Sequence, residues 1–429
     1  MAVQETKSSR RGRKSGFLKV LGPGLIAGAS DDDPSGIGTY SQAGAQFGFA
    51  ISWTMLFSYP LMVAVQVISA RIGRTTGRGI AANIRRDYPG WMLQGVVGLM
   101  LLANTLNIAA DLGAMGDAVR LLIGGPPHLY VIGFGAVCAA MQIFVIYERY
   151  ARLLQWLTLA LFCYFGTILA VDVPWAELVK GLIMPTLSAD PSFWTTVVAI
   201  LGTTISPYLF FWQASQEVED LRADRKQKPL VNAPSQAPRE LERIRLDTYL
   251  GMAFSNVIAL AIMVTTAATL HTTGITNIET SAQAAEALRP VAGEFASVVF
   301  ALGIIGTGLL AVPVLAGSAA YALAEACKWP NGLARKPGKA KAFYSTIAAA
   351  ALTGVAINFS PINPIKALYW SAVVNGVAAV PIMIMMMHMA ASPRVMGKFT
   401  IGGGLLLVGW LAAAAMTIAV ATMLIGMMG

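Results

Sequence analysis

Three consecutive aspartates, Asp31, Asp32 and Asp33, stand directly before Pro34 inside an otherwise apolar stretch of the chain. An aspartate at the centre of a membrane helix costs about 2.5–3.5 kcal/mol, so three of them are not structural filler. Carboxylate oxygens are ligands for hard divalent cations such as Mg²⁺, Ca²⁺ and Mn²⁺. The triplet therefore predicts a cation site.

Two prolines indicate where the helices that would position this site are interrupted. Pro34 and Pro207 each fall near the middle of an apolar run, and a proline removes a backbone donor and clashes with the preceding turn. Gly36 and Gly38 weaken the first run further. Interrupted helices at matching places in two halves are typical of transporter sites, because unwound backbone frees carbonyl oxygens and half-helix C-termini favour cations. For Pro207 alone, a simple kink is an equally good interpretation.

Composition requires a membrane around these runs. Of 429 residues, 56% are hydrophobic and 12% are charged, which is too apolar for a soluble core. Segments of about 20 apolar residues span a bilayer as helices. We therefore predict an all-α polytopic membrane protein with about 11 transmembrane helices. The predicted spans are about 20–45, 49–70, 91–120, 129–147, 151–171, 193–215, 246–270, 295–325, 342–358, 364–389 and 400–428.

Basic residues orient the predicted spans. With eleven spans, 27 of the 31 lysines and arginines fall on one side, which the positive-inside rule assigns to the cytoplasm. This predicts a bacterial-type inner (plasma) membrane protein with a cytoplasmic N-terminus and an outside C-terminus. Residues 1–19 are expected to form a basic cytoplasmic tail, and 216–245 a cytoplasmic linker inside a single transporter domain, 20–429. The basic charge faces the lipid bilayer, and no nucleic-acid partner is expected.

The sequence resembles the NRAMP family of divalent metal transporters. The resemblance rests on DPSG (33–36) and SPY (206–208), which match the family's DPGN and MPH motifs, and on LDTYLGMAFSN (246–256). It implies a LeuT-like fold with two inverted five-helix repeats, about 20–171 and 193–389, with broken helices 1 and 6. The helix at about 400–428 is then an addition.

Departures from the family pattern concern the metal. The family aspartate is kept as Asp33, whereas Gly36 replaces an asparagine and Ser206 replaces a methionine. Thr203 matches a position that offers a backbone carbonyl. Oxygen in place of soft sulfur suits Mg²⁺ and Mn²⁺, and the smaller side chains are expected to leave room for water. The pattern is most like the NRAMP-related magnesium transporter branch.

A second departure concerns protons. Tyr208 and Ala114 occupy positions where the family has a histidine and a carboxylate, so we expect metal movement without proton coupling. A proton-coupled Mn²⁺/Fe²⁺ transporter is the alternative. Further polar side chains are candidates for the ion pathway or for a second layer around the ion: Asp31, Asp32, Tyr208, Asp111, Asn256 and Asn375. For the two asparagines, an interhelical hydrogen bond is the simpler interpretation.

The residues disfavour two rival functions. An amino-acid transporter of the same fold would need bare amides for a carboxylate, which three aspartates disfavour. A membrane enzyme that binds Mg²⁺-diphosphate would need a second acidic cluster, and no predicted span contains one. Asn104, Asn107 and Asp117 are compatible with helix packing, and the sequence does not favour any of the three as a site residue. The prediction is thus a transporter rather than an enzyme, with divalent metal ions as its partners, no cofactor and no obligatory protein partner.

Overall fold

A computed structural model describes residues 31–145, 160–224 and 226–428, and the secondary structure in these ranges is helical throughout. Predicted features at 1–30 and 146–159, including the basic tail, lie outside the described residues. The helices are α1 (Pro34–Phe47), α2 (Trp53–Thr76), α3 (Ile80–Asp87), α4 (Gly90–Ile123), α5 (Pro127–Phe144), α6 (Phe162–Ala170), α7 (Trp175–Ile183), α8 (Pro191–Thr204), α9 (Pro207–Ala223), α10 (Ala237–Thr266), α11 (Ser281–Glu286), α12 (Ala296–Ala326), α13 (Lys341–Ile357), α14 (Pro364–Ala391) and α15 (Gly403–Met428).

The all-α membrane architecture is confirmed. Eight helical segments in the described part of the chain are long and apolar enough to cross a bilayer, and α13 is a shorter apolar helix. Each of the eleven predicted spans overlaps a described helix, although the number of true crossings stays a prediction. The predicted break of the sixth span is present, because α8 ends at Thr204 and α9 begins at Pro207.

The predicted linker 216–245 is largely helical, which corrects the sequence interpretation. Helix α9 continues to Ala223 and α10 already begins at Ala237, so a connection of 224–236, described except for residue 225, is all that joins them. Charged residues suggested a solvated loop at the sequence level. In the structure, several of these charges are buried in ion pairs between helices.

The buried ion pairs form one group, called here the Arg74 cluster: Arg74, Glu217, Glu240 and Arg243. Arg74 on α2 and Glu217 on α9 are fully buried. Arg74 Nη2 lies 2.8 Å from Glu240 Oε2, and Arg243 bridges Glu217 at 2.6 Å and Glu240 at 3.0 Å. Two positive and two negative charges therefore neutralise each other while they join α2, α9 and α10.

Close helix packing places the two interrupted segments side by side. Helix α1 packs against α8, α10 and α14, and α4 packs against α12 and α14. Gly202, near the end of α8, permits the approach of α14: a Cβ at this position would lie 2.1 Å from the Ala372 carbonyl oxygen and 2.5 Å from Gly376 N. Any larger residue at 202 would push α8 away from α14.

Candidate metal-binding site

The first interruption lies at Asp32 and Asp33. Asp31 is helical, Asp32 and Asp33 are not, and Asp33 caps the N-terminus of α1 with extended backbone angles. Its Oδ1 accepts hydrogen bonds from Gly36 N and Ser35 Oγ, both at 2.7 Å. The orphan amides and positive end of α1 stabilise this buried carboxylate. Asp33 thus lies at the positive end of a half-helix, a position that the sequence analysis did not assign to it.

Helix α4 supplies a third donor to Asp33. Asn107 Nδ2 donates to Asp33 Oδ2 at 2.8 Å, so Asn107 contacts the candidate site, for which the sequence did not put it forward. Sequence offered one usable signal, since Asn107 and Asp111 are four residues apart and share a helix face. Asp111 is fully buried, and neither of its carboxylate oxygens has a hydrogen-bond partner in the described part of the chain. The face of α4 that holds Asn107 and Asp111 therefore supplies polar groups to the site.

The second interruption offers carbonyl and hydroxyl oxygens. Ser206 Oγ lies within hydrogen-bonding distance of two carbonyls at the C-terminus of α8, 2.8 Å from Gly202 O and 2.7 Å from Thr203 O. The hydroxyl thus points back toward α8 and does not cap α9. Such C-terminal carbonyls carry negative partial charge and favour a cation. Tyr208, the second residue of α9, is buried.

Gly36 shows that the two interruptions meet. A Cβ added at Gly36 would lie 3.2 Å from Thr203 Oγ1 and 3.5 Å from the Asp31 carbonyl oxygen, with Tyr40 on a third side at 3.3 Å. The structure thus brings the predicted positions Asp33, Gly36, Thr203 and Ser206 to the same region. The room expected beside Gly36 is absent in this conformation, because three neighbours already surround the position.

Asp31 and Asp32 face a different helix from Asp33. Ser255 Oγ on α10 lies 2.6 Å from Asp31 Oδ2 and 3.1 Å from Asp32 Oδ1. Because a hydroxyl has one proton, it satisfies these two carboxylates incompletely, and Asp31 Oδ1 has no partner within the described ranges. Sequence reasoning missed Ser255, although it lies in the quoted stretch 246–256.

The two remaining asparagine candidates do not touch the aspartates through any described hydrogen bond. Asn256 Nδ2 donates to the Met55 carbonyl at 3.1 Å and ties α10 to α2, which fits the simpler structural interpretation. Asn375 on α14 is buried, and both of its amide atoms are without a described partner. Asn104 behaves as a packing residue, since its Nδ2 donates to Leu315 O and Ser318 Oγ on α12.

The carboxylates do not form a cluster of the kind that holds a resident metal. No three His, Cys, Asp or Glu side chains in the described ranges converge on one point. A cation at the junction of the interruptions would therefore meet at most two carboxylates of the described residues, and the oxygens of Thr203 and Ser206 there are neutral. Few fixed charges suit an ion that must also be released.

Paired broken helices around buried carboxylates in a polytopic bundle define a membrane transporter. The family model described as "Natural resistance-associated macrophage protein-like" matches residues 24–426, and the chain belongs to this Nramp family. The family prediction is thereby confirmed, as is the prediction that the chain is a transporter rather than an enzyme.

Relatives and solved structures agree with this assignment. A protein of Klebsiella pneumoniae strain 342 named "Divalent metal cation transporter MntH" is 28% identical over 316 residues, which cover 71% of each chain. The Eremococcus coleocola manganese transporter has a TM-score of 0.73 at 16% identity, over 100% of this chain and 90% of that chain. The nucleobase-cation-symport-1 family transporter Mhp1 has a TM-score of 0.57 at 14% identity, over 95% and 92%. The predicted LeuT-like fold is confirmed.

Proposed function

We propose that this protein moves divalent metal ions, Mg²⁺ and Mn²⁺, across the bacterial inner membrane by alternating access at the junction of its two interrupted helices. The observation that carries the proposal is the position of Asp33. Its buried carboxylate lies where the other groups of the junction, at Thr203 and Ser206, offer only oxygen. The names of the similar Klebsiella and Eremococcus proteins, a divalent metal cation transporter and a manganese transporter, support the same substrate class.

Ligand capacity remains at the junction after the internal hydrogen bonds are counted. Asp33 Oδ1 accepts two hydrogen bonds and Oδ2 accepts one, which leaves a lone pair on Oδ2. Ser206 donates its proton and keeps its acceptor lone pairs for an ion. These hard oxygen ligands suit Mg²⁺ and Mn²⁺, and Mg²⁺ keeps several of its own waters.

We further propose that metal entry is not coupled to protons. Tyr208 and Ala114 stand where a titratable relay is expected from the family pattern, which leaves Asp111 as an isolated carboxyl on α4. A divalent ion gains about 4.6 kcal/mol per 100 mV, inside negative, which suffices for accumulation. The alternative, proton-coupled Mn²⁺/Fe²⁺ transport, is favoured by one observation: Asp111 is a buried carboxyl on the helix face of Asn107, and its oxygens have no described hydrogen-bond partner.

An amino-acid substrate fits the geometry poorly. In transporters of this fold, a substrate carboxylate binds the bare amides at a half-helix N-terminus. Here the Asp33 carboxylate already accepts the Gly36 amide at the N-terminus of α1. A second carboxylate at this place would meet charge repulsion instead of a free donor.

The test uses purified full-length protein in liposomes that contain a metal-sensing dye or a trapped pH dye. We expect saturable Mn²⁺ entry, competition by Mg²⁺ at millimolar concentration, stimulation by an inside-negative potential, and no metal-dependent acidification. No metal entry at all would refute metal transport. Entry that Mg²⁺ does not compete with would refute the oxygen-site argument alone. Acidification that follows uptake would replace the uncoupled mechanism with the proton-coupled one.

A further inference from the structure

A polar cavity lies away from the two interruptions and from the candidate metal-binding site. It measures about 470 Å³ and lies between the α2–α3 connection, the end of α9 and the segment after α12, on the side that the basic residues predict to be cytoplasmic. The cavity, called here the basic pocket, is lined by five cationic side chains: Arg78, Arg85, Arg222, Lys328 and Arg335.

Two of the five cations have protein partners. Arg222 lies 3.1 Å from Glu219 and also donates to Asn331, and Arg85 donates to the backbone carbonyl of Glu325. The Glu325 side chain is also committed, because its Oε2 accepts the backbone N–H of Ala82 in the first turn of α3. The wall of the pocket is therefore a fixed polar framework.

Three of the five cations lack a described ionic partner. No carboxylate in the described ranges lies within 4 Å of Arg78, Lys328 or Arg335. Like charges around one cavity repel one another, in contrast to the mutual neutralisation within the Arg74 cluster. The charge of the pocket is thus available to an anion that enters it.

Lys328 adds an independent backbone observation. It has φ of 60°, and it is the only non-glycine residue with positive φ in the described part of the chain. Glycine adopts this left-handed conformation at helix C-termini without strain, and strained non-glycine residues concentrate at functional sites. A lysine at this position adopts a backbone conformation that glycine would adopt without strain, and it places an ammonium group at the cavity.

From these observations we propose that the basic pocket binds a phosphate-bearing anion. Phosphate groups match guanidinium forks and lysine ammonium groups, and the volume is within the range of small-ligand sites. Trp329, which also lines the cavity, offers an apolar surface beside the charges. A bound anion would join the end of α9, which begins at the second interruption, to α3 and the end of α12. The proposal does not depend on which ion the protein transports.

The test compares two triple variants of full-length protein. Arg78→Gln, Lys328→Gln and Arg335→Gln together remove the three unpaired cations. Lys336→Gln, Lys339→Gln and Lys341→Gln remove the same charge from exposed lysines that do not line the cavity. Calorimetry in detergent, without divalent ions, measures binding of sodium pyrophosphate. In the second arm, the proteins are reconstituted in 4:1 phosphatidylcholine and phosphatidylglycerol, extracted, and weighed by native mass spectrometry to count retained phosphatidylglycerol.

We expect wild-type protein to bind in one of the two arms, at least tenfold more tightly than the pocket variant and within twofold of the control variant. Pyrophosphate binding identifies a soluble phosphate compound as the source, and retained phosphatidylglycerol alone identifies a lipid headgroup. Binding should also weaken as salt is raised. The proposal is overturned if wild-type protein binds in neither arm, if the pocket variant binds as wild type does, or if the control variant loses as much.

Discussion

The tripeptide Asp-Pro-Ser begins two helices in this protein, and the surroundings of the two copies are opposite. At Asp190, which is exposed at the start of α8, the carboxylate accepts Ser192 N at 2.9 Å and Ser192 Oγ at 2.8 Å. These hydrogen bonds, the backbone one first, lower the pKa of Asp190. At Asp33 the same type of cap is buried and receives an additional donor from Asn107. One local motif thus makes an ordinary surface cap in one place and a candidate ion ligand in the other.

Burial alone does not distinguish the Asp33 cap as a candidate ion ligand, because charges of the Arg74 cluster are buried as well. Arg74, Glu217 and Glu240 are also buried and Arg243 is partly buried, yet these four residues pair with one another. The carboxylates of Asp31, Asp32, Asp33 and Asp111 have no ion pair in the described ranges. A buried charge without a counter-ion is expensive unless a bound cation, a proton or water offsets it. The absence of a counter-ion is therefore the feature that distinguishes the carboxylates of the candidate site from those of the Arg74 cluster.

The largest effect is expected from removing the charge of the buried cap. Asp33→Asn keeps a residue that caps helices well but loses the anionic ligand, so metal uptake into liposomes should fall to background. The matched change Asp190→Asn should alter uptake by no more than about twofold. Size-exclusion profiles would verify that both variants fold. Normal uptake by Asp33→Asn would remove Asp33 from the site.

The next effect concerns the compensated cluster. Arg74→Gln leaves Glu217 and Glu240 buried with Arg243 alone, and breaking such a pair costs about 3–5 kcal/mol. Thermal unfolding in detergent should show a large loss of stability. Arg394→Gln removes the exposed arginine of the Arg394–Asp87 pair, while Arg86 still pairs with Asp87, and it should cost about 0–1 kcal/mol. Equal losses in the two variants would mean that the cluster contributes no more than a surface ion pair.

A smaller effect is expected at the donor to Asp33. Asn107→Ala removes a hydrogen bond to a charged group, worth about 1.5–3 kcal/mol, and should raise KM for metal about tenfold as Asp33 loses its orientation. Asn104→Ala lies nearly one turn away on α4 and removes bonds to α12 instead, so it should lower stability and leave KM unchanged. An unchanged KM in Asn107→Ala would reduce its role to packing.

The smallest effect is a change in preference at Ser206. Ser206→Met introduces a soft ligand and should weaken Mg²⁺ competition with Mn²⁺ severalfold, whereas Ser206→Ala, which lacks both hydroxyl and sulfur, should weaken entry of both ions. Competition assays in liposomes would separate the two variants. Adding Gly36→Asn sharpens the test but requires Thr203 or Tyr40 to move, because a Cβ would lie within 3.3 Å of both. Equal Mg²⁺ competition in Ser206→Met and wild type would contradict the role of the hydroxyl.

Sequence reasoning predicted the fold, and it named four residues that the structure brings to one region, through strong local signals. Pro34 and Pro207 pointed to the two interruptions, and Gly36 and Gly38 strengthened the first, but a proline alone does not decide, because Pro60, Pro313 and Pro381 lie inside α2, α12 and α14. Three aspartates in an apolar run require an explanation in any fold. The partners of those aspartates could not be predicted. Ser255 and Asn107 lie 222 and 74 residues from Asp33, as their numbers show, and only helix packing brings them near the triplet.

The sequence by itself determined that the chain enters a membrane, that its helices break at two prolines, and that Asp33 caps a half-helix. These outcomes depend on solvation and on backbone hydrogen bonds within a few residues. Tertiary packing decided the rest. Most of the charged stretch 216–245, which the sequence alone suggests is a loop, belongs to helices that the Arg74 cluster joins. Packing also buries Asp33, whereas Asp190 is exposed. The physical reason is that the energy of a charge depends on its surroundings, and those are set by helices far apart in the sequence.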